Sequence, residues 1–317
     1  MAYWQEYVQP KSIDQALQAL SEAGGHARLV AGGTDLLLDL QQGRHPPVRR
    51  LVDVSSINEM QHIRIDGDMA YIGGAVSHRR IVEDPILARR ADCVTQACAL
   101  IGGPQVRNVA TLGGNVAHAL PAGDGTIGLL ALDAEAELAT LEGRSWSALE
   151  DLFVGPGLTT FDRSRDVLVQ FRFRLTGPGE ASRFERVMRP QGVAIAILNM
   201  ACWVRADGGG RVTGLRLAIG PAGPKPLRAR GVEQGLLGEA PTRASLTTAS
   251  RLLLDEVTLR SSEHRATRAY RQHLVDVLLW RTVLPAYAAA VRTTAQEPAD
   301  RRHANSTQAS TMRKTVA

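Results

Sequence analysis

Two short stretches hold the residues best suited to chemistry. One is Val30-Ala-Gly-Gly-Thr-Asp-Leu-Leu37; the other is Thr111-Leu-Gly-Gly-Asn115, followed nine residues later by Asp124. Both offer bare backbone and small polar groups rather than bulk. A glycine-rich turn leading into a helix leaves first-turn N–H groups without partners, and glycine lets the chain approach an anion closely. Gly32, Gly33 and Thr34 fit that arrangement, as do the hydroxyl, backbone and amide of Thr111 to Asn115. Two such loops in one domain suit a long ligand with two phosphates, gripped from both sides. A mononucleotide needs only one.

A full G-x-G-x-x-G fingerprint is absent. Asp53 nevertheless lies 20 residues after Gly33 at the end of an expected strand, where a ribose-binding acid would stand, so a nicotinamide-nucleotide dehydrogenase stays open on these residues. Cys93, Cys98 and Cys202 are too few and too irregular for a disulfide framework, an iron–sulfur cluster or a zinc site. The histidines show no H-x-x-x-H or H-E-x-x-H spacing; only His118 sits inside one of the two loops. No G-x-S-x-G nucleophile elbow occurs.

The elements that must position these loops follow from periodicity. Ser12 to Gly24 reads as a capped helix, and Ala27 onward as strand, diglycine turn and a helix opened by Thr34. A strand ends near Asp53, and Ile63 to Val76 is a pair of strands about an Asp-Gly turn. Ser77 to Leu100 is helical with a break before Pro85. A helix end and strands follow the second loop, and Asp166 to Leu175 closes the region as a strand. Thr176 to Ser182 is glycine- and proline-containing and reads as a linker. Beyond it come two long strands around Gly208–Gly210, starting near Ala194, and then helices. The last of these carries Trp280 and Tyr287, residues suited to an interface. From about Val291 the chain is polar and aperiodic and is expected to be disordered.

Composition bounds the function classes. With 317 residues, 44% apolar and 22% charged, the chain has the make-up of ordinary globular domains. The net charge of +5 does not describe a nucleic-acid surface, because residues 288–317 hold five basic and two acidic residues, or +3, leaving about +2 for the rest. No apolar run of membrane-spanning length and no secretory leader stand out, which makes a cytoplasmic location the expectation.

The segments AGGTDLLLDLQ and GGPQVRNVATLGGNVAHALPAGD, with DLFVGPG (Asp151 to Gly157) and a late Tyr270-Arg271 pair, resemble the FAD-binding subunit of the molybdenum hydroxylases. That family includes xanthine dehydrogenase and aerobic carbon monoxide dehydrogenase, and the resemblance spans Met1 to Ala290. It implies an α+β fold: a two-lobed FAD-binding domain of the vanillyl-alcohol-oxidase type over residues 1–175, with lobes of about 1–55 and 56–175. A smaller α+β domain over 183–290 and a tail over 291–317 follow. It implies that Val30, Ala31, Gly32, Gly33, Thr34, Asp35, Leu36 and Leu37 hold the FAD pyrophosphate through backbone amides. Thr111, Gly113, Gly114 and Asn115 form the second wall, Ile101 packs on the cofactor, Asp124 hydrogen-bonds it and Leu168 lies near it. Arg186 stands where the family commonly has lysine, Arg189 is kept, and Pro190 and Val193 replace an expected arginine and aspartate.

As implied by the resemblance, this chain passes electrons from 2Fe-2S clusters on a small partner through FAD to an external acceptor. Substrate reacts at a molybdenum cofactor in a large partner, and the assembly is a dimer of heterotrimers. A stand-alone flavoprotein oxidase of the same fold, and an assembly subunit without FAD, are the alternatives.

Overall fold

A computed structural model describes residues 2–190, 192, 194–263 and 265–295. Val193, His264 and the expected tail from residue 296 onward lie outside the described residues.

The first lobe is a three-stranded parallel sheet with two helices. Its elements are β1 (Trp4–Val8), α1 (Ile13–Glu22), β2 (Ala27–Val30), α2 (Leu36–Gln41) and β3 (Val48–Asp53), with β3 between β1 and β2. Ser12 caps α1 as its sequence demands, its Oγ accepting the Gln15 N–H at 3.2 Å. Ile13, Ala16, Leu17 and Leu20, spaced for one helical face, are buried. Thr34 does not open α2: Asp35 occupies the N-cap, and no side chain caps it.

The second lobe alternates sheet and helix. It comprises β4 (Ile63–Asp66), β5 (Met69–Gly73), α3 (His78–Glu83), α4 (Leu87–Arg90), α5 (Asp92–Leu100), α6 (Pro104–Val109), α7 (Leu112–Ala117) and α8 (Asp124–Ala131). Then come β6 (Glu135–Thr140), β7 (Gly143–Ala148), a small hairpin of β8 (Phe153–Gly155) and β9 (Leu158–Thr159), and β10 (Val167–Arg174). The expected helix over Ser77–Leu100 is three helices, broken at Asp84–Ile86 and again at Ala91. The sheet is antiparallel, ordered β4-β5-β10-β6-β7.

Strand β10 joins the two lobes. Strict alternation would put Val167, Val169, Phe171 and Phe173 on one face. A bulge between Leu168 and Gln170 changes the parity. Val167 and Val169 therefore pack with α1 and the first lobe, whereas Leu168, Phe171 and Phe173 pack among the helices of the second.

The C-terminal domain contains β11 (Glu180–Val187), β12 (Leu198–Ala206), β13 (Val212–Gly220), β14 (Leu227–Arg228), α9 (Arg230–Gly235), α10 (Arg243–Glu256) and α11 (Arg268–Ala295). Its sheet follows chain order and is antiparallel. Both faces are covered. Phe184, Ala201, Trp203 and Ala218 share a core with α5 and α8, while Met200, Cys202, Val204 and Leu217 face α10 and α11.

Four sequence expectations change here. The supposed linker is clamped: Thr176 exchanges hydrogen bonds with Arg90, and buried Glu180 pairs with Arg174 and already lies in β11. The first long strand starts at Leu198 rather than Ala194. Residues 291–295, assigned to a disordered tail, continue α11. Trp280 and Tyr287, singled out for an interface, are partly buried against the domain core, and the Tyr287 hydroxyl donates to Gly210 O at 2.6 Å. The segment Arg268–Thr294 has the length and apolarity of a membrane span, but Leu274, Val275, Leu278, Leu279, Val283 and Ala286 bury one side of it within the domain.

Candidate functional site

The two diglycine loops meet across one cavity of about 640 Å³, walled by the first lobe, the second lobe and residues 194–196 of the C-terminal domain. That volume falls within the roughly 300–1,000 Å³ usual for ligand sites. Of the sixteen residues the family resemblance singled out, the cavity wall gathers Val30 through Leu36, Ile101, Thr111, Gly113, Gly114, Asn115, Asp124, Leu168 and Arg186. Leu37 is not in the wall; its side chain turns to Val30, Val48 and Leu51.

The loops are built differently. In the first, Gly33 takes a left-handed φ of 68°, which glycine accepts without strain. A Cβ at Gly32 would stand 2.1 Å from Val109 O, so α6 packs directly on this backbone. Among the described residues, the N–H groups of Gly32, Gly33, Thr34 and Asp35 have no protein acceptor. Four adjacent free donors facing a cavity are an anion cradle.

In the second loop the amides are already used. Gly113 N donates to Gly74 O at 3.0 Å, Gly114 N to Thr111 Oγ1 at 3.0 Å, and Asn115 N to Thr111 O at 3.0 Å. The reason for each glycine also differs. A Cβ on Gly113 would sit 2.5 Å from Gly74 O, so that glycine serves backbone packing. A Cβ on Gly114 would meet only Thr111 Oγ1, at 3.2 Å, with open space beyond. Asn115 Oδ1 accepts from Thr126 N and Oγ1, which orients the side chain and leaves its amide donors available.

Asp124 and Arg186 form a buried ion pair between α8 and β11. Asn199 Nδ2 donates to the other Asp124 oxygen at 2.6 Å and to Ala122 O at 3.2 Å. Burial pushes the Asp124 carboxyl up, and the adjacent Arg186 charge opposes that. The pair thus ties the C-terminal sheet to the cavity wall. Arg186 also donates to Met188 Sδ at 3.0 Å.

Several wall residues carried little sequence signal. His78 is buried at the start of α3, and burial, with the Arg107 charge, holds its imidazole down to about 4. It is therefore neutral at physiological pH. Its position follows from a short ladder in which His78 N donates to Ala110 O and Leu112 N to Val76 O. His118 of the second loop lies close to the first, its Nε2 4.0 Å from Asp35 Oδ1. Arg28, His45 and Arg163 line the same cavity from sequence neighbourhoods with no motif.

The nicotinamide-dehydrogenase reading is not supported by Asp53. Its carboxylate accepts from Tyr7 Oη at 2.6 Å, Gln9 Nε2 at 3.0 Å and Ser55 N at 2.8 Å, away from the cavity. Those bonds lower the Asp53 carboxyl despite burial, and the same contact pushes Tyr7 up to about 12. The three cysteines are buried thiols; burial pushes Cys93 up to about 12 and the other two also upward. Among the described residues, no group of three His, Cys, Asp or Glu could hold a metal ion.

Residues 3–173 match the family described as the FAD binding domain in molybdopterin dehydrogenase, and residues 182–286 match the CO dehydrogenase flavoprotein C-terminal domain. The chain belongs to this family of FAD-binding subunits. It is 31% identical to the putative xanthine dehydrogenase FAD-binding subunit of Escherichia coli K12, over 90% of this chain and 96% of that one. It is also 31% identical to the carbon monoxide dehydrogenase medium chain of Hydrogenophaga pseudoflava, over 77% and 84% of the two chains. A solved structure of carbon monoxide dehydrogenase from the same organism superposes with a TM-score of 0.84 at 28% identity, covering 90% and 98%. The fold is thus the two-lobed FAD domain with its α+β appendage.

Proposed function

We propose that this chain carries one FAD in the cavity between its lobes and is the electron outlet of a molybdenum hydroxylase. The row of free amides from Gly32 to Asp35 carries this reading, because a dinucleotide's diphosphate is the group that would satisfy it. When bound, FAD supplies the redox chemistry. The protein's own residues bind and orient. The first loop, Val30 to Leu36, receives the diphosphate through N–H groups. Thr111, Gly114 and Asn115 face it from the second loop, with the Asn115 amide as a fixed donor. Ile101 and Leu168 offer apolar surface, and the Asp124–Arg186 pair ties the C-terminal domain to the cavity wall.

Substrate oxidation belongs to partner subunits in this reading. A large subunit holds the molybdenum cofactor, a small one holds the 2Fe-2S clusters, and the three assemble as a dimer of heterotrimers in the cytoplasm. The support is the relationship to a carbon monoxide dehydrogenase medium chain and a putative xanthine dehydrogenase FAD-binding subunit.

A visible absorption spectrum of the purified chain, taken before and after incubation with FAD, tests the cofactor assignment. The two bands of oxidised flavin are the expected result. A colourless chain that never takes up FAD, yet joins the complex, would replace this reading with that of an assembly subunit. Flavin that is reduced by an organic substrate in the chain alone would instead indicate a stand-alone oxidase.

A further inference from the structure

Four arginines line the cavity, and they differ in a way the loops do not explain. Arg186 pairs with Asp124, and Arg44 lies 3.7 Å from Asp39. Arg28 and Arg163 have no carboxylate within ion-pair distance among the described residues. They belong to different lobes: Arg28 to β2 of the first, Arg163 to the loop before β10 of the second.

Each is held in place by neutral groups. Arg28 Nη1 donates to Ala27 O at 2.9 Å, and its Nε donates to His45 Nε2 at 3.1 Å. A guanidinium only donates, so His45 Nε2 accepts and its Nδ1 carries the proton given to Pro46 O at 2.7 Å. Arg163 donates to Ala117 O at 3.1 Å and Gly157 O at 2.7 Å, joining the end of α7 to the β8–β9 hairpin. The acids beside Arg163 in the chain accept local hydrogen bonds. Asp162 accepts from Ser164 N and Oγ, and Asp166 accepts from Asp162 N. Burial, and next the Arg28 charge, push Arg163 below the usual guanidinium range. Both guanidiniums line the same cavity and are close enough for their charges to oppose each other, which is unfavourable unless an anion lies between them.

We infer that Arg28 and Arg163 form a cationic clamp across the two lobes that neutralises the diphosphate of the bound dinucleotide, an inference that rests on the FAD reading above. Backbone amides contribute direction but no net charge, whereas FAD brings two phosphate charges. The clamp supplies the matching pair and draws the lobes together over the ligand. It also makes the site selective for a dinucleotide over the uncharged flavin.

The test measures binding of FAD and of riboflavin, which lacks phosphate, to the full chain at low and high salt, for the wild type, Arg28→Gln and Arg163→Gln. For the wild type, FAD affinity is expected to fall with salt while riboflavin affinity holds. Each substitution is expected to weaken FAD by about tenfold or more and to leave riboflavin unchanged. Arg163→Lys, which keeps the charge but not the paired carbonyl contacts, is expected to retain most of the salt dependence. Variants that bind FAD as tightly as the wild type overturn the clamp. So does equal loss of FAD and riboflavin, which marks a structural role. If a glutamine variant does not fold, the wild-type comparison decides alone: FAD binding no more salt-sensitive than riboflavin binding overturns the clamp while leaving the FAD reading intact. A wild type that binds neither flavin defeats the FAD reading itself.

Discussion

At the residue scale, adjacent glycines in one diglycine have opposite reasons to be there. Gly113→Ala forces a Cβ against the Gly74 backbone, where nothing flexible can yield. It is expected to lower stability by roughly 2 kcal/mol or more, read as a fall in the denaturation midpoint. Gly114→Val points into open space, so the fold should persist by circular dichroism while FAD occupancy, read by absorbance, is lost. Asp124→Asn keeps the shape but strands the buried Arg186 charge, an expected loss of roughly 3 kcal/mol measurable by urea unfolding. His78 contributes a pH effect of definite sign. Its folded value of about 4 lies below the ordinary 6.5, so the unfolded chain binds the proton first as pH falls. This contribution is complete above 6.5 and fades toward about 4, a loss of roughly 3 kcal/mol over that window. Unfolding midpoints of His78→Leu measured across the same window should lack that slope.

At the element scale, the sheet of the C-terminal domain depends on α11 for cover. Leu278 is fully buried between that helix and the strands, and Leu278→Ala should cost about 2–5 kcal/mol by thermal or chemical denaturation. The apolar face of α1 was legible in the sequence, because its helical period matches a single partner surface, and β12 was legible as a long apolar run covered on both faces. Others were hidden for identifiable reasons. The bulge in β10 makes a regular V-L-V-Q-F-R-F pattern serve two cores, and no local property of those residues marks the change of parity. The cap of α2 was misplaced by one residue because Thr34 and Asp35 are both good cap types and the left-handed Gly33 sets where the helix begins. Thr176 to Ser182 has linker composition, yet Thr176 is buried by contacts to distant Arg90, and Glu180 is buried against nearby Arg174.

At the scale of the whole molecule, the cavity is the place where both lobes and the C-terminal domain meet, so occupancy couples all three. Saturating FAD is expected to raise the unfolding midpoint, with about 2.7 kcal/mol gained at a hundredfold excess over Kd. A midpoint unmoved by FAD at concentrations that colour the protein would show that the flavin binds elsewhere or also binds the unfolded chain. Arg28 and Arg163 belong to this scale too, since they oppose each other only once the lobes are assembled.

The amino-acid sequence alone determined the loops, their glycines and the family, because two spaced diglycines flanked by small polar residues are a local property written in residue type. It also pointed to fifteen of the residues that now line one cavity, through the resemblance those motifs carry. Tertiary structure decided the rest. It assigned Gly113 to packing and Gly114 to open space, joined Asp124 to Arg186 and Asn199, took Asp53 out of the site, and brought His78, Arg28 and Arg163 into it. Each of these outcomes depends on which distant backbone or charge stands within a few ångströms, and a single chain read in order does not encode that distance locally.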